Sequence, residues 1–388
     1  MCIIARLTNI VIPEIITVKL NIRKLIEKHS DTMPFYVKEY IQSKITAGLS
    51  PDTLLQYLYR YKHFFNWLLS EGLVEAENVA AIPYSELDRM RKDTIEMYIQ
   101  FLRNEDISKK EDDTEGEPKA LKLPEYRGEA VVALSIQALK SLFNYLTKET
   151  EDEDGECYFY RNVMSKIVTH KKGETASRRA RDLNAVILND DDISAYLKFI
   201  ENGYNDTLIS AEARSRYERD KVRDLTINSL ILGTGMRVGE IASIEINNIH
   251  LHSRYIDVVR KGSKPDSVSV LESAIEDLER YMDVRESKYP GAKQSPFLFV
   301  SVYGGVVRPL SRRAIQNIVN KYTSAFFKSS KSPHKLRHSF AVDFIRSGGD
   351  IILLRDQLGH SDIKTTSLYT NMSSKDGEKV LNEMDKRR

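Results

Sequence analysis

Four side chains near the carboxyl end of this 388-residue sequence have types and spacing that suit chemistry. His334 and Arg337 lie three residues apart, His360 follows a Leu-Gly pair, and Tyr369 comes nine residues after that histidine. A histidine can transfer protons, an arginine can hold an anion with a fork of N–H groups, and a tyrosine can act as a nucleophile. These groups can cooperate only if rigid elements aim them at one another.

Helix-boundary signals surround the four residues. A serine-proline pair is typical of a helix start, because serine can cap the helix and proline suits its first position. Glycine commonly ends a helix, and aspartate can cap the next one. The expected boundaries are a start at Ser332-Pro333, a stop at Gly348-Gly349, a second start at Asp350, a second stop at Gly359 and a third start at Ser361 or Asp362. His334 and Arg337 would then share one face of a first turn, and Tyr369 would end a short third helix.

These motifs resemble the active-site motifs of the tyrosine recombinases, the phage-integrase family. In that family His-x-x-Arg is followed by Leu-Gly-His and, nine residues later, by the nucleophilic tyrosine. The segment GTGMRVGE, which ends at Glu240, is similar to the turn that carries the family's first arginine, and Lys261 lies where the family keeps its β-hairpin lysine. The resemblance implies a catalytic set of Arg237, Lys261, His334, Arg337, His360 and the nucleophile Tyr369, with Glu240 orienting Arg237.

The reaction implied by the resemblance is the breaking and rejoining of DNA. Tyr369 would form a 3′-phosphotyrosine, an ester similar in energy to the one lost, so rejoining needs no ATP and no cofactor. Clustered positive charge would stabilise the phenolate and the phosphorane, and strand exchange would pass through a Holliday junction. His334 and His338 can also be read as a metal pair, but lysine and arginine neighbours repel a cation and no carboxylate or cysteine completes a site. No metal is therefore expected.

The composition is that of an ordinary soluble globular protein, with 41% hydrophobic and 29% charged residues. Arg6, Pro13 and Glu14 interrupt the apolar start of the chain and no small-residue cleavage site follows, so no signal peptide is expected. No apolar run approaches the roughly 20 residues that span a bilayer. Cys2 and Cys157 cannot make a disulfide framework. We therefore expect a cytoplasmic protein.

The net charge of +2 conceals an uneven pattern along the chain. Residues 105–119 carry a net charge of −4 and residues 148–156 a net charge of −5, which leaves +11 for the rest. A basic body with two acidic loops suits double-stranded DNA as the partner. The acidic blocks can also be read simply as solvated loops that face away from DNA.

The first half of the chain has helical patterns and no catalytic constellation of its own. Residues 1–30 are expected to form an arm containing a helix from Val18 to Lys28, and residues 31–170 a helical domain. Helices are predicted at 33–45, at 51–72 behind a Ser50 cap, at 85–103 and at 127–147. In the second of these, Phe64, Trp67 and Leu68 are expected in the core, although the same aromatic stripe could face DNA.

The segments MPFYVKEYIQSK and YFYRNVMSKI carry a second resemblance. They are similar to the core-binding (SAM-like) domain of the family, especially in single-recombinase Xer-type (XerS-like) proteins. The implied fold class is mainly α with a small β-sheet, arranged as a two-domain DNA clamp. Residues 171–185 would be a basic linker, read either as a plain connection or as a segment that tracks phosphates.

Residues 186–388 are expected to form the α+β catalytic domain. Strands are predicted at 255–260, 267–272 and 297–300, with Lys261 at a hairpin tip. An amphipathic helix after Tyr369 would dock into a neighbouring subunit, as the resemblance implies. The expected DNA contacts are Lys171, Lys172, Arg178, Arg179, Arg181, Lys264, Arg312 and Arg313.

The leading hypothesis is a site-specific recombinase that binds an inverted-repeat site as a dimer and pairs two sites as a tetramer. Resemblance to Xer-type proteins favours the resolution of chromosome or plasmid dimers. A mobile-element integrase uses the same chemistry and remains an alternative. Two other classes are a DNA-binding regulator that does not cut and a type IB topoisomerase-like enzyme without site preference.

Overall fold

The computed structural model of the protein describes residues 14–107, 125–168, 187–188, 190–260, 264–359, 366 and 385–386. The chain divides into two compact units, one within Ile15–Lys172 and the other within Gly173–Arg388. Helices dominate both units, and the second also holds two small sheets. The prediction of a mainly α protein with a small β component is confirmed.

The helical unit contains six α-helices among its described residues. They are α1 (Glu14–Asp31), α2 (Phe35–Thr46), α3 (Pro51–Ser70), α4 (Tyr84–Asp88), α5 (Lys92–Asn104) and α6 (Glu129–Lys148). The predicted start of α3 is correct, because the Ser50 side chain accepts a hydrogen bond from the Thr53 N–H at 3.3 Å and Pro51 occupies the first helical position. Gly72 follows α3 with φ +62°, a conformation that favours glycine.

Aromatic side chains form much of the core of this unit. Phe64, Trp67 and Leu68 are buried, as predicted, and the Phe64 ring packs edge-on against Tyr98 of α5 at 4.9 Å. Ile26 of α1 is buried in the same core. α1, which lies largely within the arm expected at residues 1–30, therefore packs against the core of the helical unit.

The single helix predicted at 85–103 is two helices in the structure. α4 ends at Asp88 and α5 begins at Lys92. The Arg161 side chain donates to the carbonyls of Arg89 and Met90 at 3.1 and 3.0 Å, and the Asp88 carboxylate accepts the Tyr160 N–H at 3.1 Å. These distant partners satisfy the backbone at the break, which local sequence patterns do not encode.

α6 is long and apolar enough to cross a membrane by length and composition, and is the one such helix among the described residues. The expectation that no apolar run approaches the spanning length is thus wrong for this segment. Half of the apolar window is buried inside the structure, and Leu139, Leu142 and Phe143 are in the core of the helical unit. This burial is that of a core helix.

The second unit is built around one long buried helix. Its helices are α7 (Asp190–Glu201), α8 (Ala211–Thr234), α9 (Val238–Ala242), α10 (Glu272–Lys288), α11 (Arg312–Phe327), α12 (Pro333–Arg346) and α13 (Ile351–Leu358). α8 packs against α7, α10 and α12. It begins at Ala211, because Ser210 caps it by accepting the Ala213 N–H at 3.1 Å.

Two antiparallel sheets complete this unit. The first has the order β1 (Ile249–His250), β2 (Tyr255–Arg260) and β3 (Lys264–Ser269), and the second pairs β4 (Val300–Tyr303) with β5 (Val306–Pro309). β2 lies where it was predicted. β3 begins three residues earlier than predicted. Pro265 is tolerated there because β3 is the edge strand of this sheet among the described residues.

The strand predicted at 297–300 is largely misplaced. Phe297 makes an isolated bridge to Glu245, and the strand itself begins at Val300. Gly304 and Gly305 then turn the chain into β5 with φ values of +57° and +76°. A Gly-Gly pair between apolar runs is a hairpin signal, so the sequence did contain the information that would have placed this hairpin.

Candidate active site

The end of α8 and the start of α9 hold Arg237 in a fixed position. Gly235 ends α8 with φ +67°, and a Cβ at this position would lie 2.5 Å from the Phe340 ring. Arg237 is the N-cap of α9, where its N–H donates to Glu240 Oε2 at 2.8 Å and its Nη1 to Oε1 at 2.9 Å. One third of the Arg237 side chain stays exposed. The guanidinium is therefore oriented by Glu240 and still accessible to a ligand.

The first turn of α12 brings two further predicted residues to the same place. The Arg337 side chain is buried and donates to the carbonyls of Gly235 at 2.6 Å and Leu358 at 2.7 Å. His334 lies one turn earlier and is exposed. Partial desolvation and the positive charges of Arg337 and Arg237 lower the pKa of His334 below its ordinary 6.5. His334 thus lies in the positive field of both arginines.

The start of α12 differs in one detail from the expectation. Pro333 occupies the first helical position, as predicted. Ser332 is the N-cap residue, but its side chain makes no capping hydrogen bond to the described part of the helix. The rigid proline therefore contributes to this helix start without the hydroxyl bond that was expected.

The carboxyl end of α13 is the point on which the arginines converge. The Asp350 carboxylate caps the start of α13 by accepting the Ile352 N–H at 2.7 Å, and Gly359 ends the helix with φ +61°, both as predicted. The carbonyl of Leu358 accepts from Arg337, and that of Gly359 accepts from Arg237 Nη2 at 3.1 Å. Carbonyls at a helix end carry partial negative charge, so guanidinium groups stabilise it. This turn leads directly to residue 360.

A third arginine reaches the same helix end and was missed in the sequence. Arg260, the last residue of β2, is buried and donates to Glu240 Oε2 at 3.1 Å and to Asp266 Oδ2 at 2.9 Å. A signal was available, because Arg260 is in phase with the buried Ile256 and Val258 of the same strand. A charged residue on the core-facing side of a strand needs partners there.

Comparison with known proteins identifies the family. The phage integrase family profile matches residues 198–376. Tyrosine recombinase XerS of Streptococcus thermophilus (strain ATCC BAA-491 / LMD-9) is 35% identical over 361 residues, which cover 92% of this chain and 98% of the relative. XerS of Lactococcus lactis subsp. lactis (strain IL1403) is 34% identical over 359 residues with the same coverage. The chain belongs to the tyrosine recombinase family.

Solved structures show the same fold. The XerH site-specific recombinase bound to palindromic difH substrate has a TM-score of 0.56 and 19% identity, and the match covers 86% of this chain and 80% of that chain. The Tn1549 transposon integrase in complex with a circular intermediate DNA has a TM-score of 0.56 and 14% identity, with 91% and 99% covered. The XerS relatives and the family profile establish a XerS-like, site-specific DNA recombinase, and these solved structures share its fold. The relatives do not favour the non-cutting regulator or the element-borne integrase.

The structure brings together four of the seven predicted active-site residues of this recombinase. Arg237, Glu240, His334 and Arg337 are described above. The other three, Lys261, His360 and Tyr369, lie outside the described residues. In the sequence Lys261 directly follows Arg260, the last residue of β2, and the register of β2 with β3 pairs Arg260 with Lys264.

Some of the predicted DNA contacts likewise lie within the described residues and others lie outside them. Lys264, Arg312 and Arg313 are exposed. Arg312 lies against α9, because a Cβ on Gly239 would be 3.0 Å from its Nε. This places one exposed cation beside the helix that Arg237 caps. The linker residues Lys171, Lys172, Arg178, Arg179 and Arg181 lie outside the described residues.

Proposed function

We propose that this recombinase cuts DNA by forming a 3′ phosphodiester bond to Tyr369, with Arg237 and Arg337 bound to the scissile phosphate. The observation that carries the proposal is the convergence of these two arginines on the end of α13, beside His334. The family's known polarity supports attachment at the 3′ side. Exchange of all strands then passes through a Holliday junction and restores the DNA backbone without ATP or a cofactor.

The arginines supply the electrostatic part of this proposal. A tyrosine hydroxyl has an ordinary pKa of about 10 and is a weak nucleophile at neutral pH. Fixed guanidinium groups stabilise the phenolate and the extra negative charge on the pentavalent phosphorus. Arg237 is suited to one non-bridging oxygen and Arg337 to the other, because a guanidinium presents its N–H groups as a planar fork.

The proton transfers are assigned to His334 and Lys261. A lowered pKa keeps His334 neutral at physiological pH, so its imidazole can accept the proton that Tyr369 loses. As the new O–P bond forms, the bond from phosphorus to the 5′ oxygen breaks, and Lys261 donates a proton to that oxygen. His360 donates a further hydrogen bond to the phosphate. Glu240 orients Arg237 and does not contact DNA.

The assembly and the biological role are also proposals. XerS proteins are relatives over 92% of the chain, which supports resolution of chromosome or plasmid dimers in the cytoplasm during chromosome partition and cell division. A homodimer binds one inverted-repeat site, and two sites pair in a homotetramer through the helix after Tyr369. The helical domain and the catalytic domain clamp the duplex, while the basic 171–185 linker, Lys264, Arg312 and Arg313 contact phosphates.

The test is to sequence the DNA that becomes covalently attached to the protein in its host. Cells are lysed in denaturant so that only covalent adducts survive, and a strain with Tyr369→Phe is the control. We expect adducts at one inverted repeat near the replication terminus or on a plasmid, and none in the control strain. Adducts at the ends of a mobile segment would show that the biological role is integration and not resolution. Adducts that persist in Tyr369→Phe would disprove the assignment of Tyr369 as the nucleophile.

A further inference from the structure

The structure assigns to Arg260 the role of a positioning residue that holds the end of α13 and the base of the Lys261 hairpin in one arrangement. The inference rests on the proposed function, since it concerns the placement of Lys261, His360 and Arg237. Arg260 itself is buried. It acts through its neighbours in the chain and through Glu240.

Four acceptors surround the Arg260 guanidinium. Nε donates to Asp266 Oδ2 at 2.9 Å, and Nη1 donates to Glu240 Oε2 at 3.1 Å and to the Leu358 carbonyl at 3.4 Å. Nη2 donates to the Gln357 carbonyl at 2.8 Å. One side chain therefore joins β3, α9 and the last turn of α13.

Three of the four acceptors, all except Asp266, lie near a residue of the proposed mechanism in the chain or are bonded to one. Arg260 directly precedes Lys261 in the chain, and Leu358 lies two residues before His360. Glu240, which Arg260 shares with Arg237, makes two hydrogen bonds to that arginine. Loss of the Arg260 guanidinium would release the proposed general acid, the turn before His360 and one support of Glu240 at the same time.

The packing around Arg260 is close as well as polar. A Cβ on Gly359 would lie 2.6 Å from Arg260 Nε and 2.7 Å from its Cζ. The glycine therefore allows the helix end to approach the guanidinium, in addition to allowing the positive φ. A lysine cannot replace this arrangement, because its single ammonium group lacks the planar fork that spans two carboxylates and two carbonyls.

A buried arginine can also serve stability alone, and the catalytic unit contains a matched example. Arg285 of α10 is 5% exposed, compared with 7% for Arg260. It donates to the carbonyls of Ala292, Ser295, Phe297 and Leu298. These carbonyls belong to the loop between α10 and β4, which contains no residue of the proposed mechanism. Arg285 is therefore the control for the structural effect of losing a buried guanidinium.

The experiment compares Arg260→Met, Arg260→Lys and Arg285→Met in the full-length protein. Folded fraction, affinity for the recombination site and the single-turnover rate of covalent adduct formation are measured well below the Tm of the least stable variant. We expect both Arg260 variants to bind DNA normally but to cleave on the order of 10-fold to 10²-fold more slowly, as small misplacements of reacting groups do. Arg285→Met should lose stability and keep its cleavage rate. Equal cleavage by Arg260→Met and Arg285→Met would overturn the inference.

A second substrate identifies what Arg260 positions. It carries sulfur in place of the bridging 5′ oxygen at the cleaved bond, and a thiolate leaves without needing a proton. We expect this substrate to restore much of the rate lost in Arg260→Lys, because Lys261 is no longer needed as the acid, and to leave Arg337→Ala slow. Absence of restoration in Arg260→Lys would refute the link to Lys261. If wild-type protein forms no Tyr369-dependent adduct, the proposed function fails instead.

Discussion

Two buried clusters of charge in the catalytic unit, one around Arg223 and one around Arg337, differ in the acceptors that these two arginines use among the described residues. In the first, Arg223 donates twice to Asp224 Oδ1, at 3.1 and 2.8 Å, while Lys321 and Tyr322 donate to Oδ2 at 2.9 and 3.0 Å. In the second, Arg337 donates to two backbone carbonyls. A carboxylate cancels the charge of its partner, whereas a carbonyl orients a guanidinium and leaves its charge in place.

The pKa shifts follow this difference. Burial alone would lower the pKa of Arg223, but the negative charges of Asp224 and Asp220 outweigh it and the pKa rises. At the candidate site, burial and the positive charges of Arg337 and Arg237 lower the pKa of His334. The first cluster is thus held by a buried ion pair, whereas in the second the arginines exert a positive potential on His334.

Replacing Asp224, the acid of the first cluster, should lower the free energy of unfolding and leave the cleavage rate unchanged. Asp224→Asn leaves Arg223 buried with a weakened partner, and breaking a buried ion pair in this way costs about 3–5 kcal/mol. Urea unfolding followed by circular dichroism measures the loss, and cleavage per folded molecule should stay unchanged. A variant that is as stable as the wild type would show that the two clusters do not differ as described.

Replacing Arg337 in the second cluster should mainly slow the cleavage of DNA. Arg337→Ala should slow covalent adduct formation by roughly 10²-fold or more, the size expected for losing one fixed charge contact in a transition state. Stability should also fall, because two carbonyls lose a donor, so rates are normalised to the folded fraction. An unchanged normalised rate, measured on a pre-formed protein–DNA complex, would make Arg337 purely structural.

The positive potential of the second cluster should also be visible in the pH dependence of stability. Burial, followed by the charges of His334 and Arg337, lowers the pKa of His338 from 6.5 to about 4. The unfolded chain then binds more protons between these values, so this contribution is complete above pH 6.5 and is lost as the pH falls toward 4. We expect a loss of about 2 kcal/mol, reduced by partial solvent screening.

The control for this pH effect is His338→Gln, which cannot titrate. Urea unfolding of both proteins at a series of pH values separates His338 from the other titrating groups. The variant should show the smaller loss of stability on acidification. If the free energy of unfolding depends on pH in the same way in both proteins, the cluster does not act on His338.

Much of the fold could be predicted because local signals decide helix ends. Ser50, Asp350 and Gly359 act as predicted, since a cap or a left-handed glycine depends on nearby backbone. The break between α4 and α5 was missed because its carbonyls are satisfied by Arg161, more than 70 residues away in the chain. Tertiary partners of this kind leave no periodic pattern in the sequence.

In the candidate active site, too, some features could be predicted from the sequence and others depend on distant partners. That Arg237, Glu240, His334 and Arg337 lie together could be predicted from motif spacing, because the spacing resembles that of the family. Arg260 could not be assigned its contacts, since two of its acceptors are backbone carbonyls 97 and 98 residues away. Every residue has a carbonyl, so the sequence does not mark which ones will be used.

The end of α13 has a consequence for the synthesis of the protein. Its carbonyls accept from Arg237 and Arg260, which lie 122 and 98 residues earlier in the chain. A ribosome must therefore synthesise and release the chain at least as far as Gly359 before these arginines meet their acceptors. Nascent chains that stop short of α13 carry these charged side chains without the carbonyls that orient them.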